Sequence, residues 1–254
     1  MKDLQNKTVL LTGCNRGIGY SILEKFAEHK CNIIACTRNE NDQFKKKVEQ
    51  LKSKFDTKIV DYYFDLESHE SIKNSVKKIL IENEKIDILI NTAGILHNSL
   101  FLMSTISQIE KILNVNFTSQ ILLTQLIAKK MVLKKSGNII FFSSSSAREN
   151  NFGRSIYSAS KSAIESMSMS LSKELGRYNI RVNAIAPGPV DTEMFNKFTD
   201  KENAKKIIDR TASKKIAKTD DIANLVIFLS SNLSNHINGQ IINIDGGLGI
   251  NEWK

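Results

Sequence analysis

The chain reads as an α/β protein, with a doubly wound parallel sheet of seven strands, helices on both faces and one domain over residues 1–254. Three observations predict this. Seven short runs rich in Val, Ile and Phe recur along the 254 residues, nearly unbroken in apolar character, as strands buried on both faces must be. Longer segments with apolar residues at helical period separate them. No internal repeat and no linker rich in Pro, Gly and Ser divides the chain, so right-handed crossovers gather the runs into one sheet.

The elements follow in order. Residues 8–12 form the first strand, and a glycine-rich turn leads from it into a helix over 17–29. A second strand spans 32–36 and a third 58–64, with Lys45-Lys46-Lys47 in a helix-like pattern between them. A helix over 68–82 precedes the strand 86–90, and one long helix occupies 106–133. The strand 138–143 is followed by a helix over 155–177, and the strand 180–186 by a polar stretch. A helix over 220–229 then leads to the last strand, 240–244. The only two prolines, Pro187 and Pro189, flank Gly188 at the carboxyl end of the sixth strand, the edge where open α/β sheets take ligands. Residues 191–219 are polar and lysine-rich, which suits either a substrate lid or a plain pair of surface helices.

Hydrophobic residues make up 41% and charged residues 25% of the chain, which excludes a disordered or collagen-like protein. No apolar run approaches the roughly 18 residues that span a bilayer. Met1-Lys2-Asp3-Leu4 runs almost directly into the first strand, so we expect no signal peptide and a cytoplasmic protein. Cys14, Cys31 and Cys36 form no CxxC pair; with four scattered histidines they predict buried free thiols and no metal site. The net charge of +9 is spread along helix patterns such as Lys134-Lys135 and Lys205-Lys206. It predicts solvated faces with a weak pull on acidic ligands, not a nucleic-acid or membrane surface.

Thr12-Gly13-Cys14-Asn15-Arg16-Gly17-Ile18-Gly19 joins the first strand to the first helix. Glycines there let the backbone approach a phosphate, and the helix N-terminus supplies N–H donors. An acidic residue ending the second strand would hold the ribose hydroxyls of NAD(H). Here Cys36-Thr37-Arg38 stands instead. Arg38 and Arg16 together suit a 2′-phosphate, so the expected cofactor is NADP(H). Tyr157-Ser158-Ala159-Ser160-Lys161 sets a phenol and an ammonium four residues apart on one helix face. The ammonium is expected to lower the phenol pKa and make it a usable general acid/base. The run Ser143-Ser144-Ser145-Ser146 offers hydroxyls at the same sheet edge.

These motifs, in this order, make the sequence resemble the short-chain dehydrogenase/reductases, with a Rossmann fold, over essentially its whole length. The glycine turn matches TGxxxGIG, Asp65-Leu66 the dipeptide that meets the adenine, and Asn91-Thr92-Ala93-Gly94 an NNAG motif with Thr in second place. Pro187-Gly188-Pro189-Val190-Asp191-Thr192 matches the family's PG turn, whose Val190 and Thr192 positions meet the nicotinamide; Asp245-Gly246-Gly247 matches its closing turn. The resemblance implies Asn116, Ser144, Tyr157 and Lys161 as the catalytic set. Ser144 is selected because the family's serine lies thirteen residues before its tyrosine. In those roles Ser144 and Tyr157 bond the substrate oxygen, Lys161 holds the nicotinamide ribose, and Asn116 positions a water.

Gly13, Asn15, Arg16, Gly17, Ile18, Gly19, Arg38, Asp65, Leu66, Asn91, Ala93, Gly94, Pro187, Gly188, Val190 and Thr192 would line the cofactor beside Tyr157 and Lys161. Ser146, Arg154, Met194 and Phe195 are the expected substrate contacts.

The overall pattern is most similar to the 3-oxoacyl-[acyl-carrier-protein] reductases, which would make an acyl-carrier-bound carbonyl the substrate. The family's two carrier-binding arginines are kept only in part, as Lys135 and as Tyr178 beside Arg177. Arg154 stands where those reductases keep glutamine; it suits an anionic or phosphorylated substrate or a sugar nucleotide, or else faces solvent or pairs with Glu149. A ketoreductase of sugars, polyols or polysaccharide precursors is therefore the second reading. A non-catalytic NADP sensor is the third, although such proteins usually lose the Tyr/Lys pair. The resemblance also implies a homo-oligomer, dimer or tetramer, built on helices 106–133 and 155–177. Ser166-Met167-Ser168-Met169 belongs either to that interface or to packing within the subunit.

Overall fold

The computed structural model describes residues 1–149 and 151–248. The apolar runs form strands β1 (Thr8–Thr12), β2 (Asn32–Thr37), β3 (Ile59–Tyr63), β4 (Ile88–Asn91), β5 (Gly137–Phe142), β6 (Ile180–Pro187) and β7 (Ile241–Ile244). Each lies within two residues of its expected bounds. All pair in parallel, in the order β3-β2-β1-β4-β5-β6-β7. The chain starts at the centre, winds outward to β3, then crosses to the far side of β1 and winds outward to β7. The direction of winding reverses between β1 and β4, and the crevice above that point is where such sheets bind ligands.

Among the described residues ten α-helices flank the sheet: α1 (Gly17–Glu28), α2 (Asp42–Phe55), α3 (His69–Glu82), α4 (Ile106–Leu113), α5 (Ser119–Lys134), α6 (Ser146–Glu149), α7 (Ser155–Gly176), α8 (Glu193–Phe198), α9 (Lys201–Asp209) and α10 (Thr219–Ser230). Alternation along the strands builds two cores. Val9 and Leu11 of β1 pack with Ile22 and Phe26 of α1 and Val226 of α10. Leu10, between them, packs with Ile72 of α3, Leu123 of α5 and Ile164 of α7 on the other face. Burying both faces explains why the strands show no polar alternation.

One segment differs from expectation in an instructive way, and two take the forms expected of them. The long helix is not continuous: a π-helical turn over Asn114–Thr118 separates α4 from α5. Such turns insert a residue and re-aim side chains, and they recur at functional sites. The 191–219 stretch is a pair of short helices, capped by the Thr192 hydroxyl on Phe195 N–H (3.2 Å) and by Asp200 on Asn203 N–H (2.8 Å). That pair hangs on a narrow neck, where Val190 bridges Ala217 and Asp191 N–H donates to the Ala217 carbonyl at 2.9 Å. The lysine triplet lies in α2, whose start is capped by Asn41. No helix among the described residues is long and apolar enough to cross a membrane, and no cluster of three or more His, Cys, Asp or Glu is placed to hold a metal.

Candidate active site

The carboxyl ends of β1, β4, β5 and β6 bring the motifs together. Gly13 takes φ +67°, and a Cβ there would sit 2.9 Å from the Ala93 Cα. A Cβ at Gly19 would lie 2.1 Å from the Gly13 carbonyl oxygen, so the turn closes only with glycine. Thr12 fastens this turn to the next motif, its Oγ1 accepting from the N–H of Thr92 (3.1 Å) and Ala93 (3.2 Å). Arg16, the N-cap of α1, makes no side-chain cap bond. The first N–H groups of α1 therefore have no side-chain capping partner and fit a dinucleotide's diphosphate.

At the adenosine end, Arg38 forms ion pairs with Asp65 at 2.8 Å and Glu67 at 3.0 Å. Arg16 pairs with Glu193 of α8 at 3.1 Å. Thr192 lies against Gly17, where an added Cβ would meet its methyl at 3.5 Å. The start of the 191–219 segment thus leans on the glycine turn. Gly188 packs so closely on the last turn that a Cβ would lie 2.6 Å from the Asp245 Cα.

Tyr157 and Lys161 occupy the first two turns of α7. The Tyr157 phenol is half-buried and hydrogen-bonded to the Ser144 hydroxyl, which also accepts from Ser146 N–H at 3.2 Å. Ser143, by contrast, is buried and donates to Glu165 at 2.9 Å. The structure thus singles out Ser144 as the run's partner to the phenol. Lys161 is 4% exposed; its Nζ donates to the Phe142 carbonyl at 2.8 Å and lies 5.8 Å from the Tyr157 ring centre. A Cβ on Gly94 would lie 3.5 Å from that Nζ and 3.3 Å from Asn116 Oδ1. A side chain at Gly94 would press on both groups from this wall.

Several expectations are corrected here. The phenol's pKa is not lowered. Burial pushes Tyr157 above its ordinary pKa, and the opposing influences are the Ser144 hydrogen bond and the Arg154 charge. Burial instead lowers Lys161 itself, to about 8, because an ammonium without water is penalised. Asn116 is fully buried and spends its amide on Ile95, accepting from its N–H at 2.8 Å and donating to its carbonyl at 2.9 Å. Its side chain therefore fixes the loop after Gly94. Asn91 is also fully buried and donates to Thr124 at 3.0 Å, which ties β4 to α5. Ser146 is 2% exposed and its hydroxyl accepts from Asn151.

Arg154 does not pair with Glu149, which is taken by Arg210 at 2.5 Å. Its Nε donates to Asn98 at 3.1 Å. Met194 is exposed on α8 and Phe195 half-buried beside it. The three cysteines are buried and free, with burial pushing each thiol well up. Asn98 is the residue that the sequence reading missed. Only its place in the loop after Asn91-Thr92-Ala93-Gly94 could have pointed to it.

A family model described as "Enoyl-(Acyl carrier protein) reductase" matches residues 13–249. A 3-oxoacyl-[acyl-carrier-protein] reductase of Aquifex aeolicus is 34% identical over 96% of this chain and 98% of its own. A 2-dehydro-3-deoxy-D-gluconate 5-dehydrogenase of Pseudoalteromonas atlantica is 32% identical over 96% of both. Among solved structures, a candidate NAD(P)-dependent gluconate 5-dehydrogenase from Beutenbergia cavernae, with NADP at low occupancy, superposes with a TM-score of 0.91. It is 25% identical and is matched over 96% of this chain and 97% of that one.

Proposed function

Because the chain belongs to the short-chain dehydrogenase/reductase family of oxidoreductases, we propose that it reduces a ketone to a secondary alcohol with NADPH at the site above. The observation that carries this reading is the Tyr157 phenol bonded to Ser144, with the buried Lys161 one turn along the same helix. In this reading a reduced nicotinamide, when bound, supplies a hydride. Tyr157 gives its proton to the carbonyl oxygen as that oxygen gains negative charge. Ser144 donates a second hydrogen bond to the same oxygen. The raised phenol pKa suits this direction, since it keeps the proton in place at neutral pH. Lys161 contributes a fixed charge beside the cofactor wall, and the segment over 191–219 closes on the substrate from the glycine-turn side.

The test is NADPH consumption with an acetoacetyl thioester, a keto-sugar acid and a simple diketone. Absence of turnover with all three, and with NADH as well, overturns the reading and favours a cofactor sensor.

NADP(H) is proposed over NAD(H) because Arg38 and Arg16 face the adenosine end. Their ion pairs are solvent-exposed and worth little, so a phosphate dianion displaces those carboxylates. We expect Arg38→Ala to lower kcat/KM for NADPH by about 10–100-fold, the worth of one or two charge-assisted bonds. The value for NADH should change far less, and a wild-type preference for NADH would refute the assignment.

Two substrate classes are in view. The relatives named as acyl-carrier reductases and the basic surface support a carrier-borne thioester, although Arg177 turns onto the Tyr178 hydroxyl at 2.6 Å. The relatives named for sugar acids, together with Arg154, support a small keto acid.

Self-association is part of the proposal. Phe101, Leu102, Met103, Ile106 and Phe152 are 65–94% exposed, and Ser99 N–H on the Gly153 carbonyl joins their two loops. Light scattering after size exclusion should find a dimer or tetramer; a monomer at micromolar concentration would remove this part.

A further inference from the structure

Five arginines lie around this site, and four of them meet carboxylates. Arg16 pairs with Glu193, Arg38 with Asp65 and Glu67, Arg148 with Glu165 at 3.6 Å, and Arg210 with Glu149. Arg154 is the exception. Its Nε donates to the neutral Asn98 Oδ1 at 3.1 Å, and among the described residues no carboxylate comes within ion-pairing distance. Its two terminal amino groups make no hydrogen bond to a described residue.

The position of this guanidinium is well determined. Arg154 is the N-cap of α7, three residues before Tyr157, and its carbonyl accepts from Ser158 N–H at 2.8 Å. Asn98 sits four residues beyond Gly94, in the loop that Asn116 pins through Ile95. The Ser99 N–H to Gly153 carbonyl bond, at 2.9 Å, fastens the same two segments one residue further on. In that loop His97 Nε2 is buried without a hydrogen-bond partner among the described residues.

We infer that Arg154, braced by Asn98, receives a carboxylate of the substrate, so that the ketone reduced beside Tyr157 is a keto acid. The inference rests on the ketoreductase reading and narrows it to one substrate class. A guanidinium presents paired N–H donors in a rigid fork that matches a carboxylate. With Nε held by Asn98, the remaining amino groups are preorganised for such a ligand. A neutral thioester offers this cation carbonyl oxygens but no charge. The positive end of α7 adds to the preference for an anion.

The test compares D-gluconate with D-sorbitol, the uncharged hexitol of the same length, by thermal shift on the NADP⁺-saturated protein at matched ionic strength. Gluconate should raise Tm by several degrees in the wild type and sorbitol far less. Arg154→Gln should lose most of the gluconate-specific shift, and Arg154→Lys, which keeps the charge without the fork, should retain part of it. Equal shifts for the two ligands, no shift with gluconate, or a full gluconate shift in Arg154→Gln overturns the inference.

A kinetic arm reads the ratio of kcat/KM for a keto acid to that for its methyl ester. Arg154→Gln should lower that ratio at least 30-fold; an unchanged ratio counts against the site. Should no ketone be turned over at all, the ketoreductase reading fails, while the thermal comparison still decides the carboxylate site.

Discussion

Tyr157→Phe should lower kcat by about three orders of magnitude while leaving NADPH binding nearly unchanged, because a positioned proton donor contributes about 10²–10⁴-fold. The substitution removes one oxygen and keeps the ring, which packs in the first turn of α7. The dinucleotide cradle is built elsewhere, from the glycine turn, the uncapped start of α1 and the Gly94 wall. Cofactor affinity measured by nicotinamide fluorescence is therefore expected to survive. Ser144 remains able to bond the carbonyl oxygen, and this accounts for residual turnover above the uncatalysed rate. Ser144→Ala should leave the proton donor in place and cost less, on the scale of one lost oxyanion donor. If Tyr157→Phe retained a tenth of wild-type turnover, the proton would have to come from another group. Loss of cofactor binding in step with kcat would instead point to a structural role for the phenol.

Much of this arrangement is legible in the sequence because its causes are local. The β1 run Thr8–Thr12 is apolar throughout, and its two faces feed two cores. That property can be read from residue types alone. Gly13 and Gly19 are demanded by backbone approaches of 2.9 and 2.1 Å, and the four-residue spacing of Tyr157 and Lys161 fixes their shared helix face. The reading failed where the deciding quantity was environment. Asn116 lies on a π-helical turn whose register no 3.6-residue period reveals. Its amide went to Ile95, and nothing in the residue type announces that.

The acidity of Tyr157 was misjudged for the same reason. Proximity in sequence suggested a cation acting on a phenol, whereas burial dominates both groups. Arg154 acts on the phenol from outside the four-residue motif altogether.

The low pKa of Lys161 has its largest consequence for stability, and it should appear without cofactor or substrate. Unfolded, this ammonium loses its proton near the ordinary lysine value of about 10.4; folded, burial lowers that to about 8. Below pH 8 both states carry the charge, and the folded protein bears the whole cost of desolvating it. Between about pH 8 and 10.4 the unfolded chain holds a proton that the folded one has released, so stability rises with pH. Above that range both forms are neutral and the cost is gone.

The expected rise is up to ~1.4 kcal/mol per pH unit and ~3 kcal/mol in total from this one group. In Lys161→Met it should be absent. The measurement is urea unfolding of wild type and variant from pH 7.5 to 10.5, read as the difference between their unfolding free energies. Other titrating groups, including Tyr157, are common to both chains and largely cancel. The hydrogen bond to the Phe142 carbonyl also survives deprotonation, since a neutral amine still donates. A flat difference across that range would show that the buried ammonium is not penalised. A rising one, together with lost turnover in the variant, would show a cation kept in place against the stability of the fold. Such a charge is retained for its effect on the neighbouring chemistry.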